Sequence, residues 1–521
     1  MARKASLFSD SVHAIAFWAG CVAVTIGVLL HLPMFLMGRT AHYKLAGMPM
    51  DTGMLIGMGL IIAGTGATAY GLLPPRRTDG MKFDEIAPPE DAPLTRAHWV
   101  QIIILAGALI IDVMKPATLG FVVPGMRDEY GLTFATVAVL PFSALLGTTV
   151  GSFLWGVLAD IYGRRATILL ASVIFMGTSI CGSMPSFAWN IFMCFLMGVG
   201  AGGLLPIAYA LLAEVMPTRH RGWCLVLVGG IGSVGGYFAT SALSAFLQPY
   251  FGWRIMWLIN LPLAVILIAV SPLLQESARF LQSRGRLEEA GETLARFGIS
   301  IDQRAPGASP KRPTIPNSSI KLGKLMGLTC ALTLTALCVG FVNFGVLLWL
   351  PGSLVREGRS VGAASELIAQ SSLIAAPTIV LVSWLYSIWS TKRTLMLAVG
   401  VTTLGLITIL LRGLRDLPIL SSPIVPAALL IVGTSGIISV ILPYAAESYP
   451  LKVRGRATGW VAGFSKGGGL LAQGFGTLAL VPALGVTAGA VAVPCLLAIV
   501  LLATLGHETH GRDLRELEET T

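Results

Sequence analysis

The chain has 521 residues, 55% of them hydrophobic and 12% charged, with a formal net charge of +10. A soluble domain carries about 25% charged residues, so a soluble globular class is excluded and most of the chain must be solvated by lipid. The positive residues are scattered among loops, with no basic stripe or interleaved aromatic platform, which excludes a nucleic-acid partner.

A membrane helix needs about 20 mostly apolar residues, and fourteen such stretches are predicted. The first two lie near 12–37 and 52–74 and form an extra N-terminal helix pair, residues 1–74. The positive start "MARK" precedes an apolar run too long for a signal peptide, and no A-x-A site follows, so a retained helix is expected. A proline-rich linker with charges of both signs occupies 75–98. Six spans follow near 99–125, 135–158, 166–184, 187–213, 222–246 and 252–274, making one six-helix half, 99–274. A charged, proline-containing central loop covers 275–324. Six more spans lie near 325–352, 362–388, 394–411, 424–446, 456–479 and 482–505, a second half within 325–505, before a tail at 506–521. If the N-terminus is cytoplasmic and the spans alternate, most of the 36 lysines and arginines fall inside. The short loops "YGRRA", "PTRHRG", "STKR" and "PLKVRGR" agree. Both termini, the linker, the central loop and the tail are then cytoplasmic, in an inner (plasma) membrane. All seven cysteines lie in apolar segments without a CxxC pair and are expected to be buried and reduced.

The two sets of six are copies. "AEVMPTRHRG" (213–222) ends the fourth span of the first set and "AESYPLKVRG" (446–455) ends the fourth span of the second. Both read E-x-x-P-x-x-x-R-G. A second echo follows the sixth spans, where "QESARFLQSRGRLEEA" (275–290) answers "HETHGRDLRELEE" (507–519). Parallel six-helix repeats describe a transporter built from two halves.

With "GVLADIYGRR" (156–165), these motifs resemble the major facilitator superfamily, whose loop between core helices 2 and 3 reads G-x-x-x-D-R-x-G-R-R. Gly156, Asp160, Gly163, Arg164 and Arg165 match, while Ile161 replaces the usual base. The E-x-x-P-x-x-x-R-G pair, "ESARFL" and "ETHGR" look like the branch of sugar porters and organic-ion or metabolite:proton symporters. The resemblance covers roughly 97–512 and implies an all-α membrane protein with a 6+6 helix bundle, to which the extra pair adds two, for 14 helices in total. The equivalent loop of the second half, "WLYSIWSTKR" (384–393), keeps Lys392 and Arg393 but loses the acid and glycines. Many relatives carry an arginine four residues before a G-x-G-x-G-G run; here that place is Cys194.

Asp160 follows a helix C-terminus, where an acid opposes the helix dipole and needs donors. Arg164 and Arg165 supply them, which makes a releasable latch of Gly156, Asp160, Gly163, Arg164 and Arg165; the alternative is plain positive-inside anchoring. Glu214 with Arg221, and Glu447 with Arg454, read as similar latches. Asp112 and Lys115, in "LIIDVMKPATLG" (109–120), are three apart and share a helix face. Each charge at mid-bilayer costs about 2.5–3.5 kcal/mol. Either they form a neutralised structural pair, or they line a central cavity, with Asp112 taking and releasing the coupling proton and Lys115 holding it ionised or binding an anion. Pro116 frees a carbonyl one turn earlier. Lys466, among glycines in "GWVAGFSKGGGLLAQG" (459–474), reads as an anion-binding cation, or as the partner of an acid on another helix, Asp112 being the obvious one. Asn343 and Gln370 are candidates to hydrogen-bond a substrate or to bridge helices. Phe341, Phe344, Trp349 and Tyr237 either give a cavity aromatic character or, as such residues more often do, face lipid or pack between helices.

The resulting expectation is a secondary active transporter, proton-coupled, carrying a small organic anion by alternating access, with protons and the lipid bilayer as its other partners and no cofactor or metal. Exporters of drugs or metabolites and transporter-like membrane sensors are the alternatives. The chain lacks HExxH and a GxSxG beside a suitable histidine, which argues against a polytopic membrane enzyme.

Overall fold

A computed structural model describes residues 10–73, 93–298, 322–414, 422–449 and 451–509. Its regular secondary structure is all helical, with no strand among the described residues. The extra pair is α1 (Ser11–Leu29), followed by the short α2 (Leu32–Met37), and α3 (Thr52–Leu72). Next come α4 (Arg96–Tyr130), α5 (Phe134–Tyr162), α6 (Arg164–Gly177), α7 (Phe187–Ala201), α8 (Leu204–Val215), α9 (Thr218–Phe251), α10 (Ile255–Leu258) and α11 (Asn260–Val270). The central segment, expected to be a loop, contains two short helices, α12 (Ala278–Ser283) and α13 (Leu287–Arg296). The second set is α14 (Leu322–Phe341), a π-helical turn Val342–Val346, α15 (Leu347–Arg356), α16 (Val361–Ile388), α17 (Thr391–Leu414), α18 (Ile424–Ser448), α19 (Leu451–Thr477) and α20 (Leu484–Leu505). Among the described residues, thirteen helical segments are long and apolar enough to cross a membrane. The glycine-rich α19, 27 residues long, is the fourteenth expected span. Most of the linker, 74–92, the end of the central loop, 299–321, and the tail from 510 lie outside the described residues.

Two compact units emerge. One is drawn from Met1–Ala108, Val150–Cys224 and Trp257–Thr314, the other from Leu109–Thr149, Leu225–Met256 and Ile315–Thr521. Their boundaries pass through α4, α5, α9 and α10 as well as between the two sequence repeats.

In the first unit, Asp10 and Asp51 accept the amides of His13 (2.9 Å) and Met54 (2.7 Å), which starts α1 and α3. These helices meet through paired glycines. A Cβ on Gly20 would stand 2.6 Å from the Gly64 carbonyl, and one on Gly57 2.6 Å from that of Gly27, so only glycine permits this approach. The pair also lies on α6, where Thr25 donates to the sulfur of Met176 (3.6 Å) and Ile61 meets Gly177. The added helices therefore cover α6. The single span expected at 187–213 is broken at Gly202–Gly203 into α7 and α8. The freed carbonyls are satisfied from α5, by Ser152 Oγ on Gly202 O (2.7 Å) and Trp155 Nε1 on Val199 O (2.5 Å).

In the second unit, glycines again set helix spacing: a Cβ on Gly236 of α9 would stand 2.6 Å from Val113 Cβ on α4. Hydroxyl pairs tie α9 to α18 (Ser233–Ser435, 2.9 Å) and to α16 (Ser244–Ser365, 2.7 Å); such bonds replace the hydrophobic drive that lipid does not provide. Six of the seven cysteines are buried, but Cys330 is exposed on α14. An apolar segment can present a side chain to lipid as readily as to protein, and composition does not separate the two.

Candidate functional site

The charged cluster lies in the second unit. Asp112 stands on α4 about 24 Å along the axis from Arg96 and about 27 Å from Tyr130 at 1.5 Å per residue, near the middle of the helix. Lys115 Nζ lies 3.5 Å from Asp112 Oδ1, and the two side chains are 3% and 11% exposed. The i,i+3 spacing placed them together as expected. α4 runs unbroken through Pro116, which lacks the amide that would bond the Asp112 carbonyl. The Met114 carbonyl is shared by Thr118 (2.8 Å) and Thr240 of α9 (3.3 Å), which locks this stretch to its neighbour.

Lys466 on α19 joins this group. Its charge and that of Asp112 act on each other, and its Nζ lies 5.4 Å from the centre of the Phe344 ring. The glycines around Lys466 bring α14 close: a Cβ on Gly469 would meet the Phe344 side chain at 2.7 Å. Asp112 is thus ion-paired with Lys115 and lies within the electrostatic reach of Lys466.

The third element is the π-helical turn. An i→i+5 turn loosens the carbonyl ladder and often marks a functional site. Asn343 sits inside it. Tyr237 of α9 donates to both Asn343 Oδ1 (2.9 Å) and the Asn343 carbonyl (3.3 Å), and Gln473 of α19 donates to the Phe344 carbonyl. Gln473 is seven residues after Lys466, two turns along the same face. Sequence reading passed over Gln473, although a polar residue in "GGGLLAQG" was the available signal. The π turn itself has no such signal. Gln370, expected among the substrate-binding residues, stands on an exposed face of α16 with Glu366 as its partner (3.2 Å), rather than among these buried groups.

The expected latches belong to the helix junctions. In the first unit Arg164 pairs with Glu214 at 2.9 Å and reaches Asp160 only at 3.6 Å, and the Asp160 side chain is 80% exposed. The main carboxylate at this junction is Glu276, which was quoted in the repeat but given no role. It accepts the amides of Arg164 (3.1 Å), Arg165 (3.0 Å) and Ser277 (2.9 Å). It thereby caps α6, whose N-cap Gly163, at φ +102°, has no side chain to do so. A Cβ on Gly163 would strike Glu276 Oε2 at 2.5 Å. Burial pushes the Glu276 carboxyl above the usual range, against the opposing pull of these amides and of Arg164. Gly156 is exposed, with open space above it, and the side chain of Arg221 is half-buried.

The second unit repeats this construction. Glu508, the counterpart of Glu276 in the "QES"/"HET" echo, accepts the Thr391 amide (3.0 Å) and hydroxyl (2.8 Å) and the Ser390 hydroxyl, capping α17. Thr509 donates to Glu447 (2.8 Å). The Arg454 side chain lies outside the described residues. Removing such a cap leaves buried amides unsatisfied, at about 1–3 kcal/mol. Glu276→Ala is expected to lower the midpoint of thermal unfolding, with Glu276→Gln intermediate because it keeps one acceptor oxygen. A wild-type midpoint for the alanine variant would contradict the cap.

Among the described residues no group of three or more His, Cys, Asp or Glu side chains is placed to hold a metal. His13 bonds Asp10 (2.7 Å) and stacks on Tyr70, and His31 is buried against the Gly27 carbonyl (2.8 Å).

The family pattern described as Major Facilitator Superfamily matches residues 105–473. The chain belongs to the major facilitator superfamily. This facilitator is 26% identical to the niacin transporter NiaP of Acinetobacter baylyi over 84% of its own length and 100% of that protein's. It is 26% identical to the gallate transporter of Pseudomonas putida, over 79% and 96%, and 24% identical to the 4-hydroxybenzoate transporter PcaK of A. baylyi, over 77% and 89%. Its fold resembles the xylose transporter XylE from E. coli in a partially occluded, inward-open form, with a TM-score of 0.64, 15% identity, and coverage of 80% of this chain and 100% of that one. The facilitator is a multi-pass membrane transporter, and its first two spans stand outside the matched region.

Proposed function

We propose that the protein is a proton-coupled symporter of a small organic anion, working by alternating access in the inner membrane with both termini cytoplasmic. The observation that carries this reading is the buried cluster's charge: Lys115 pairs with Asp112 at 3.5 Å, and Lys466, a second buried cation, acts on the same carboxylate. With all three ionised, one positive charge is in surplus at a depth where a charge costs about 2.5–3.5 kcal/mol. A substrate carboxylate cancels it. When Asp112 takes a proton, the surplus rises to two and the affinity for an anion rises with it, so proton and anion enter as a set. Tyr237, Asn343 and Gln473 frame the site, and the Phe344 ring beside Lys466 suits a planar, aromatic acid.

The relatives support this substrate class. Niacin, gallate and 4-hydroxybenzoate, named for three of them, are aromatic acids with one ionised carboxylate. The test is uptake of nicotinate and 4-hydroxybenzoate into proteoliposomes with and without an inward proton gradient. Accumulation above equilibrium only with the gradient is the expected result. Binding without uptake would indicate a sensor, and gradient-driven expulsion from the vesicles an exporter.

A further inference from the structure

We propose that a cavity in the same unit is an outer binding site for the transported anion, which holds it before it reaches the Asp112–Lys115–Lys466 cluster. The cavity has a volume of about 170 Å³ and is enclosed by the C-terminal end of α4, the start of α5, α15 and α19. A cavity of about 150 Å³ suffices for one benzene ring. Two features specify the occupant.

The rim carries Arg127, Asp128 and Arg356, a net positive mouth that favours one carboxylate. The walls include Phe134 and Trp349, which meet edge to face with centroids 6.5 Å apart, and the Arg356 guanidinium lies 5.4 Å from the Phe134 ring. This is an aromatic slot with a cation at one side. Gln473 also lines the cavity and is 0% exposed. Its Nε2 is committed to the Phe344 carbonyl, while Oε1 has no hydrogen-bond partner. With none of its surface exposed, Gln473 closes the inner wall of the cavity rather than contacting its occupant. The structure therefore assigns the cavity to a planar aromatic carboxylate. Gln473 lines the inner wall of the cavity and through Nε2 holds the π turn beside Lys466, so one side chain joins the two sites. This proposal rests on the anion-transport reading, and under the proposed orientation the cavity opens to the cell exterior.

Equilibrium binding of radiolabelled 4-hydroxybenzoate and benzoate to the full-length protein in lipid nanodiscs tests it. Wild type is expected to bind two molecules of 4-hydroxybenzoate per chain, and Lys466→Ala to retain one. Gly352→Leu, where a Cβ has only ordinary contact with Pro124 at 3.8 Å, fills the cavity without touching Gln473. In the Lys466→Ala background it should abolish the remaining binding. In the Lys466→Ala background Arg356→Gln should weaken 4-hydroxybenzoate and benzoate alike, since both present one carboxylate to the rim. One site in wild type, lost entirely in Lys466→Ala, would overturn the outer site while leaving the transport reading intact. No binding and no uptake by wild type would overturn both. Equal binding by Gly352→Leu and its parent would place the second molecule elsewhere and also sink the proposal.

Discussion

Asp112→Asn is expected to abolish gradient-driven accumulation while sparing exchange. The asparagine keeps the shape and one acceptor oxygen but cannot exchange a proton. A one-unit pH difference is worth about 1.4 kcal/mol per proton, or about tenfold accumulation when one proton accompanies each anion. The variant should bring that ratio to one. Counterflow of labelled against unlabelled substrate should persist, because it needs the anion site and the conformational change but no net proton movement. Asparagine also leaves Lys115, 3.5 Å away, and Lys466 without their anion, so the empty variant should bind substrate at least as tightly as wild type. Accumulation at the wild-type level would remove Asp112 from the coupling step. Loss of both accumulation and exchange, with folded protein recovered, would make it part of the substrate site instead.

Lys466→Ala is expected to weaken binding by about 30-fold or more, since removing one partner of a buried charge pair costs at least about 2 kcal/mol, at about 1.4 kcal/mol per decade. Lys466→Arg should restore most of the affinity. The two lysines should separate in their effects on stability. Lys466 is the surplus cation, held by the Phe344 ring and the Asp112 charge, so its removal relieves a buried charge and should not lower the unfolding midpoint. Lys115 is the close partner of Asp112, and its removal leaves a buried carboxylate short of its nearest cation, at about 3–5 kcal/mol. Lys115→Ala should therefore destabilise the fold visibly. A large drop in midpoint for Lys466→Ala with unchanged affinity would make Lys466 a structural group. The binding measurement needs only purified protein and labelled 4-hydroxybenzoate, and thermal unfolding in the same detergent gives the stability comparison.

Much of this architecture was legible because lipid imposes a single length on every span and allows few charges within it. Asp112, Lys115 and Lys466 stood out as misfits in apolar runs, and the i,i+3 rule already placed the first two on one face. The two echoes of the repeat, Glu214 with Glu447 and Glu276 with Glu508, announced paired junctions. Their roles were less readable. Asp160 carries the motif's acid, yet it points to solvent, while Glu276, 112 residues further along than Arg164, supplies the cap. Such a contact depends on how α12 returns to the start of α6, which local spacing does not encode. The π turn at Asn343 and the bonds from Tyr237 and Gln473 are likewise products of helix packing. Gln370 shows the converse: a polar residue in a span can face away from the site when a neighbour one turn earlier, Glu366, satisfies it.

The decisive measurement is proton movement accompanying the anion. Adding 4-hydroxybenzoate to lightly buffered, de-energised proteoliposomes should alkalinise the outside medium with wild-type protein as protons enter with substrate. Asp112→Asn should give no alkalinisation while still exchanging labelled substrate. Alkalinisation by the variant equal to that of wild type, or substrate entry into wild-type vesicles with no proton movement, would contradict a coupling centre built on Asp112, Lys115 and Lys466.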